Sequence, residues 1–106
     1  MSTRKKTKSD AVKFLENITG GPLTLARLMY SIRHGEEVTL AEFAKKLGVS
    51  RQHLCDIEKG RKVVSPERAA RFAQILGYSK EQFVALSLQA LIDQADLHMK
   101  VEVNAA

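Results

Sequence analysis

Residues 39 to 59 contain two short helical patterns separated by a tight bend, and this stretch constrains the fold more than any other. Thr39 is a candidate N-cap for the first pattern, and Glu42 three residues later would complete a capping box. Gly48 follows the first pattern, where a glycine can end a helix in the left-handed conformation without steric strain. Ser50 is placed to cap the second pattern, and Gly60 is placed to close it. The stretch therefore predicts a helix-turn-helix.

The apolar residues of the two patterns indicate how the helices would pack. Phe43, Ala44 and Leu47 fall on one face of the first helix at helical spacing. Ala44 is small, which allows the second helix to cross the first beside it. Leu54 and Ile57 would fill the wedge between the two helices. A second helix held in this way stands clear of the surface, where it can enter the major groove of DNA.

These residues resemble the helix-turn-helix of the Cro/repressor (Xre) family of DNA-binding proteins. The resemblance rests on Ala44, Gly48, Leu54 and Ile57 at the family's spacing, with the letters GVS at the bend and IEKGRK after it. It covers roughly residues 23 to 78. The resemblance implies a lambda-repressor-like helical domain that binds DNA.

Helical patterns continue outside the motif, and they end before the last ten or so residues. Ser65 followed by Pro66 is a sharp start signal, because proline is favoured at the first helical position. We expect helices near residues 10–18, 23–33, 40–47, 51–59, 66–76 and 80–95. The expected fold class is all-α, a five- to six-helix lambda-repressor-like domain over 9–95, with a disordered basic arm over 1–8 and a short C-terminal β-strand and tail over 96–106.

The positive charge of the chain is concentrated in two places. The formal net charge is +5, with a pI near 9.6. Residues 1–8 hold four basic residues and no acidic one, and residues 50–62 hold four basic against two acidic residues. Charge gathered on an arm and on the second motif helix favours a polyanionic partner such as DNA. The arm is expected either to follow the DNA backbone or to serve as a solubilising tail.

Several classes of protein are disfavoured by what the sequence lacks. Cys55 is the single cysteine, so an intrachain disulfide is excluded. His34, His53 and His98 have no metal-ligand spacing, and no nucleophile elbow or glycine-rich phosphate loop is present. No secretion signal or membrane-spanning run is evident. We therefore expect a cytoplasmic protein that is not an enzyme and needs no metal or cofactor.

The first turn of the second motif helix carries the candidate base-reading residues. Helices of this kind present their N-terminal side chains to base edges. Arg51 could bind guanine O6 and N7, and Gln52 could bind adenine N6 and N7. The resemblance implies the same roles for these two positions, and we add His53 and Cys55 as weaker candidates. The alternative interpretation is a polar first turn that faces solvent, with Cys55 as a small filler.

A second set of residues is expected to contact phosphates. Thr39 and Ser50 are helix caps first, but a hydroxyl or amide at a helix N-terminus can also meet a phosphate. The resemblance implies phosphate contacts for Ser50 and for the loop after the second helix, where the alternative is solvated charge. At Leu40 many family members carry a glutamine that contacts DNA, so that contact should be missing here. The predicted phosphate set is Thr39, Ser50, Lys59, Arg61 and Lys62.

The tail changes its hydrophobic period. From Leu97 to Val103 apolar and polar residues alternate, which predicts a strand with one apolar face. A single strand on a helical domain has no partner in its own chain, so it needs another chain or a second copy of itself. We expect pairing with a second copy; the alternative is that the strand docks on a toxin and the helices alone form the dimer. The predicted dimer residues are Leu88, Leu91, Ile92, Leu97, Met99, Val101 and Val103.

Together these features predict a sequence-specific, repressor-like transcriptional regulator that binds an inverted-repeat operator as a homodimer. The resemblance further implies an antitoxin of the HigA or HipB type, which would bind a toxin protein and its own promoter. Two alternatives stay open: a stand-alone phage or host regulator without a toxin, and a protein-interaction module that has lost DNA binding. The latter would carry acidic replacements on the second helix, and Arg51 and Gln52 argue against it.

Overall fold

The computed structural model describes residues 23–106, and all regular structure in this range is helical. The helices are α1 (Leu25–Gly35), α2 (Leu40–Leu47), α3 (Arg51–Glu58), α4 (Pro66–Leu76) and α5 (Lys80–Gln94). The all-α class is therefore confirmed for this part of the chain. The predicted basic arm, the helix near residues 10–18 and the break before Leu23 lie outside the described residues.

The helices begin and end where local side chains dictate. At the start of α2 the capping box is complete: Glu42 N donates to Thr39 Oγ1 over 3.1 Å, and Thr39 N donates to Glu42 Oε1 over 2.9 Å. Gly48, with φ of 76°, ends α2 in the left-handed conformation that glycine tolerates best. A hydroxyl side chain at Ser50 or Ser65 caps the next two helices in the same way as Thr39. These local contacts set the short α2–α3 turn.

One apolar core contains side chains from all five helices, α1 through α5, and it fixes the position of α3. Phe43 of α2, Phe72 of α4 and Phe83 of α5 are all fully buried. Leu54 and Ile57, on the inner face of α3, are 0% and 1% exposed. The predicted wedge of these two side chains between the motif helices is thus part of the main core. Burial of two large aliphatic side chains stabilises α3 by about 1.5–3 kcal/mol each.

The predicted C-terminal strand is wrong for the single chain: residues 97–106 form no regular secondary structure. Asp96 and His98 have φ values of 56° and 52°, which interrupt an extended backbone. The tail instead bonds to a side chain of α5. Gln89 Nε2 donates to Met99 O, and Val101 N donates to Gln89 Oε1, each over 2.8 Å. Leu97 N donates to Ile92 O of α5 over 3.3 Å, and beyond it the Gln89 amide, in place of a neighbouring extended backbone, supplies hydrogen bonds to the tail.

Candidate nucleic-acid interface

Helix α3 presents one face to the core and the opposite face to solvent. Successive residues turn by about 100° around a helix, so Gln52 lies opposite the buried pair Leu54 and Ile57. Asp56 follows Gln52 one turn later on the same outward face. Arg51 and Gln52 are both exposed, as a base-reading role requires. Arg51 has no hydrogen bond or ion pair to any residue between 23 and 106, so its guanidinium is available.

The outward face carries a connected polar group that we call the Asp56 cluster, formed by Gln52, Asp56 and Arg61. Gln52 Nε2 and Arg61 Nε each donate to Asp56 Oδ1 over 3.1 Å. The loop after α3 also folds back on this residue, since the backbone amides of Arg61 and Lys62 donate to Asp56 O over 2.8 and 3.2 Å. Arg61 Nη2 lies 4.0 Å from the sulfur of Cys55. The cluster therefore holds the basic loop against the outward face of α3.

The charge state of Asp56 follows from these partners. Desolvation by burial acts to raise the pKa of its carboxyl, but hydrogen bonds from Arg61 and Gln52 and the charges of Arg61 and Lys62 outweigh it. The net result is a lowered pKa. Asp56 is consequently a carboxylate near neutral pH, and its side chain is 15% exposed. A carboxylate only accepts hydrogen bonds, which orients the groups around it.

His53 lies at the boundary of α3 and α4 rather than at the centre of the outward face. Its Nε2 is 3.2 Å from Arg68 Nη1. Burial, and then the positive charges of Arg68 and Lys62, lower the pKa of His53. The neutral ring accepts from Arg68 at Nε2 and so carries its proton on Nδ1. This contact connects the first turn of α3 to the start of α4.

Arg33 and Glu58 anchor the other end of α3 to α1. Arg33 Nε donates to Glu58 Oε2 over 2.9 Å, and Arg33 Nη2 donates to Glu58 Oε1 over 3.1 Å. The two side chains are only 14% and 5% exposed. The hydrogen bonds to Glu58 raise the pKa of Arg33 above its ordinary value. A two-bond pair of this kind fixes the direction in which α3 projects.

Comparison with known proteins agrees with this geometry. A family of helix-turn-helix domains matches residues 24–86, which run from the cap of α1 into α5. The chain belongs to that helix-turn-helix family. No curated protein and no solved structure gives a significant match. Membership makes this a helix-turn-helix DNA-binding protein, with the second half of α5 and the tail outside the matched region.

The helix-turn-helix brings most of the predicted site residues to one region. Arg51, Gln52 and the phosphate candidates of the following loop are exposed on or beside α3. Thr39 and Ser50 use their hydroxyl oxygens to cap α2 and α3, which leaves their hydroxyl hydrogens for another acceptor. Cys55 is half-buried beside Arg61. The phosphate candidates of the loop are Lys59, Arg61 and Lys62.

Two residues of this surface, Asp56 and Arg68, were missed by the sequence analysis. Asp56 could have been found, because four-residue spacing from Gln52 places both side chains on one helical face. Arg68 gave no such signal, since it contacts His53 across fifteen residues of sequence.

None of the helices among residues 23–106 has the length and apolar character needed to cross a membrane. The same residues contain no group of histidine, cysteine, aspartate and glutamate side chains suited to a metal ion.

Proposed function

We propose that this protein is a sequence-specific, repressor-like transcriptional regulator that inserts α3 into the major groove of an operator. The observation that carries the proposal is the two-sided α3, whose inner side chains Leu54 and Ile57 are buried while Arg51 and Gln52 are exposed. A helix anchored in this way meets DNA as a rigid element. The proposal goes beyond the family match in claiming sequence specificity and repressor-like regulation.

The proposed contacts divide into base reading and phosphate binding. Arg51 would donate two hydrogen bonds to guanine, and Gln52 would exchange two with adenine. His53 and Cys55 are proposed at the edges of the same groove. The phosphate set would position the protein without reading sequence. It consists of Thr39, Ser50, Lys59, Arg61 and Lys62.

We propose that the end of α5 and the tail form the homodimer surface. Leu91, Leu97 and Met99, three large apolar side chains within nine residues of sequence, are 44%, 48% and 60% exposed. A second copy related by a two-fold axis would cover them. The proposed surface contains all seven residues predicted for the dimer. It does not require them to form a β-strand in the isolated chain. The operator would then be an inverted repeat with half-sites about 34–36 Å apart.

An antitoxin role is a second candidate function, and the same apolar surface favours it. It lies mostly outside the matched helix-turn-helix domain, so a protein partner could bind it while α3 binds DNA. The test is genetic and direct. If a neighbouring gene encodes a growth-arresting protein, co-expression of this chain should restore growth and the two proteins should purify together. Continued arrest on co-expression would exclude the antitoxin role for that pair.

Selection of bound DNA from a random pool at fixed salt tests the main proposal. We expect an inverted repeat, and Arg51→Ala should weaken binding to it by about 1–3 kcal/mol while relaxing the preference at one base pair in each half-site. Lys80→Ala, which removes one exposed positive charge at the start of α5, serves as the control and should leave the preference intact.

Two results would contradict the proposal. If the pool yields no preferred sequence, the protein is not sequence-specific. If Arg51→Ala weakens binding equally on every sequence, Arg51 contacts phosphate and reads no base.

A further inference from the structure

We propose that Asp56 is a positioning residue that makes Gln52 prefer adenine, by holding the Gln52 amide in one orientation. The inference rests on the proposed function, because it concerns how the outward face of α3 reads bases. It differs from a claim that Asp56 itself touches DNA.

The side chains of Gln52 and Asp56 share a hydrogen bond. Gln52 Nε2 lies 3.1 Å from Asp56 Oδ1, and Arg61 Nε lies 3.1 Å from the same oxygen. Glutamine can place either its nitrogen or its oxygen toward a neighbour. A carboxylate accepts and never donates, so only the nitrogen of Gln52 can face Asp56. The lowered pKa of Asp56 keeps it ionised near neutral pH.

This orientation of the Gln52 amide leaves part of the group free to contact a base. The amide nitrogen of Gln52 has two hydrogens, and Asp56 uses one of them. The other hydrogen and the amide oxygen remain as one donor and one acceptor. Adenine offers the complementary pair in the major groove, because its N7 accepts and its N6 amino group donates.

The same orientation of the Gln52 amide disfavours guanine. Guanine presents two acceptors, N7 and O6, so the amide oxygen of Gln52 would face O6 without a hydrogen bond. An unrestrained glutamine could adapt by donating both of its amide hydrogens, one to N7 and one to O6. Here Asp56 holds one of these hydrogens, and turning the amide over would place the Gln52 oxygen against the carboxylate, which repels it. The Asp56 cluster therefore excludes the adaptation that would let Gln52 accept guanine.

Arg61 completes the arrangement. It uses Nε on Asp56, and its side chain is 56% exposed. Because the guanidinium is planar, the hydrogen bond from Nε to Asp56 also fixes the direction of the two Nη groups. These groups remain able to donate to a phosphate. The positive charge of Arg61 also offsets the negative charge that Asp56 would otherwise bring close to DNA.

The decisive variant is Asp56→Asn, which keeps the size of the side chain but can both donate and accept. Affinities are measured for the selected site with adenine or guanine at the position that Gln52 reads, which Gln52→Ala identifies. We expect wild type to favour adenine by roughly 5- to 150-fold, the range for a good two-bond pair. In Asp56→Asn that ratio should fall at least several-fold, because the asparagine amide can donate to the Gln52 oxygen and so free both amide hydrogens of Gln52 for guanine.

Three further variants separate positioning from other effects. Asp56→Glu keeps a carboxylate and should keep the adenine preference. This variant also provides a measurement at position 56 if Asp56→Asn folds poorly. Glu102→Gln, the same charge change in the exposed tail, should leave the ratio unchanged. In a Gln52→Ala background, Asp56→Asn should have no effect on the ratio, since the residue that it positions is missing.

The failures of the two proposals are distinguishable. A wild-type protein that selects no site overturns the proposed function. A wild-type protein that selects a site whose adenine preference depends on Gln52 but is unchanged by Asp56→Asn overturns only the positioning role. If Asp56→Asn instead removes a cytosine preference at another base pair, Asp56 contacts the base directly and the positioning role is again wrong.

Discussion

At the scale of single residues, His53 shows how burial and charged neighbours together decide the protonation state of a side chain. Its ring is half-buried between α3 and α4 and accepts a hydrogen bond from Arg68 at 3.2 Å. Protonation would turn this hydrogen bond into a contact between two cations, with Lys62 as a third positive charge nearby. Burial is the largest cause of the lowered pKa of His53, the charges of Arg68 and Lys62 lower it further, and the charge of Asp56 acts in the opposite direction. The folded protein thus prefers the neutral ring more than the unfolded chain does.

This preference predicts a pH-dependent stability. The pKa of His53 in the folded state lies below the ordinary value of 6.5. Between the two values the unfolded state binds more protons, so the free energy of unfolding rises with pH. The stabilisation should be fully present above the ordinary value and should be lost as pH falls through 6.5 toward the lowered pKa. Urea unfolding at a series of pH values from about 8 to about 5 measures it.

The matched variants for this measurement are His53→Gln and His98→Gln. Glutamine at position 53 can accept from Arg68 but does not titrate, so that variant should show a flatter dependence on pH. His98 lies in the exposed tail beside Asp96, at 3.1 Å, and serves as the control. Equal pH slopes in wild type and His53→Gln would show that His53 is not the titrating group.

At the scale of elements, α3 depends on its surroundings for its existence. It has eight residues, fewer than an isolated helix needs to be stable in water. The Ser50 cap, the buried Leu54 and Ile57, and the Arg33–Glu58 pair together supply the missing stability. Of these, the ion pair ties the last residue of α3 to α1 through directional hydrogen bonds between side chains. It should therefore control both stability and the angle at which α3 projects.

Removal of Glu58 tests this anchoring. Glu58→Ala leaves the mostly buried guanidinium of Arg33 without its carboxylate, and we expect a loss of about 1–3 kcal/mol in the free energy of unfolding. Glu36→Ala is the matched control, because it breaks an ion pair with Lys46 that is 3.6 Å long and far more exposed. That change should cost at most about 1 kcal/mol. Similar losses in the two variants, measured by chemical unfolding, would contradict a special role for the buried pair.

At the scale of the whole molecule, the chain divides into a matched DNA-binding domain and an apolar extension. The match ends at residue 86, within α5, and the exposed Leu91, Leu97 and Met99 all follow it. Gln89 holds the tail against α5 through two hydrogen bonds of 2.8 Å. The extension thus adds exposed apolar side chains that lie outside the matched helix-turn-helix domain.

Truncation after Ala95 tests the extension as the dimer element. We expect the truncated protein to be monomeric at micromolar concentration in sedimentation, and to bind the inverted repeat more weakly, because each half-site is then bound independently. Leu91→Ser should weaken the dimer in the same direction, whereas Ile75→Ser changes an exposed residue of α4 and should not. A truncated protein that stays dimeric and binds the same repeat would show that the dimer forms elsewhere.

The local features of this fold were predictable because they depend on residues within about four positions of each other. Thr39 with Glu42 predicted the start of α2, and Gly48 predicted its end. Gln52 is exposed as helical spacing predicts, since it lies opposite Leu54 and Ile57, and Arg51 in the first turn of α3 is exposed as well. The sequence by itself therefore determined the helices, the turn and the outward face of α3.

Only the tertiary structure decided which distant groups meet. Arg33 contacts Glu58 across twenty-five residues, and His53 contacts Arg68 across fifteen. No periodicity encodes such pairs, because they arise from how the helices pack. The tail follows the same rule: alternation predicted a strand, but a strand requires a backbone partner that only the assembled fold can provide. Among residues 23–106 the tail is bonded to α5 through Leu97 N on Ile92 O and through the side chain of Gln89, and these contacts do not form a ladder, so the tail stays irregular.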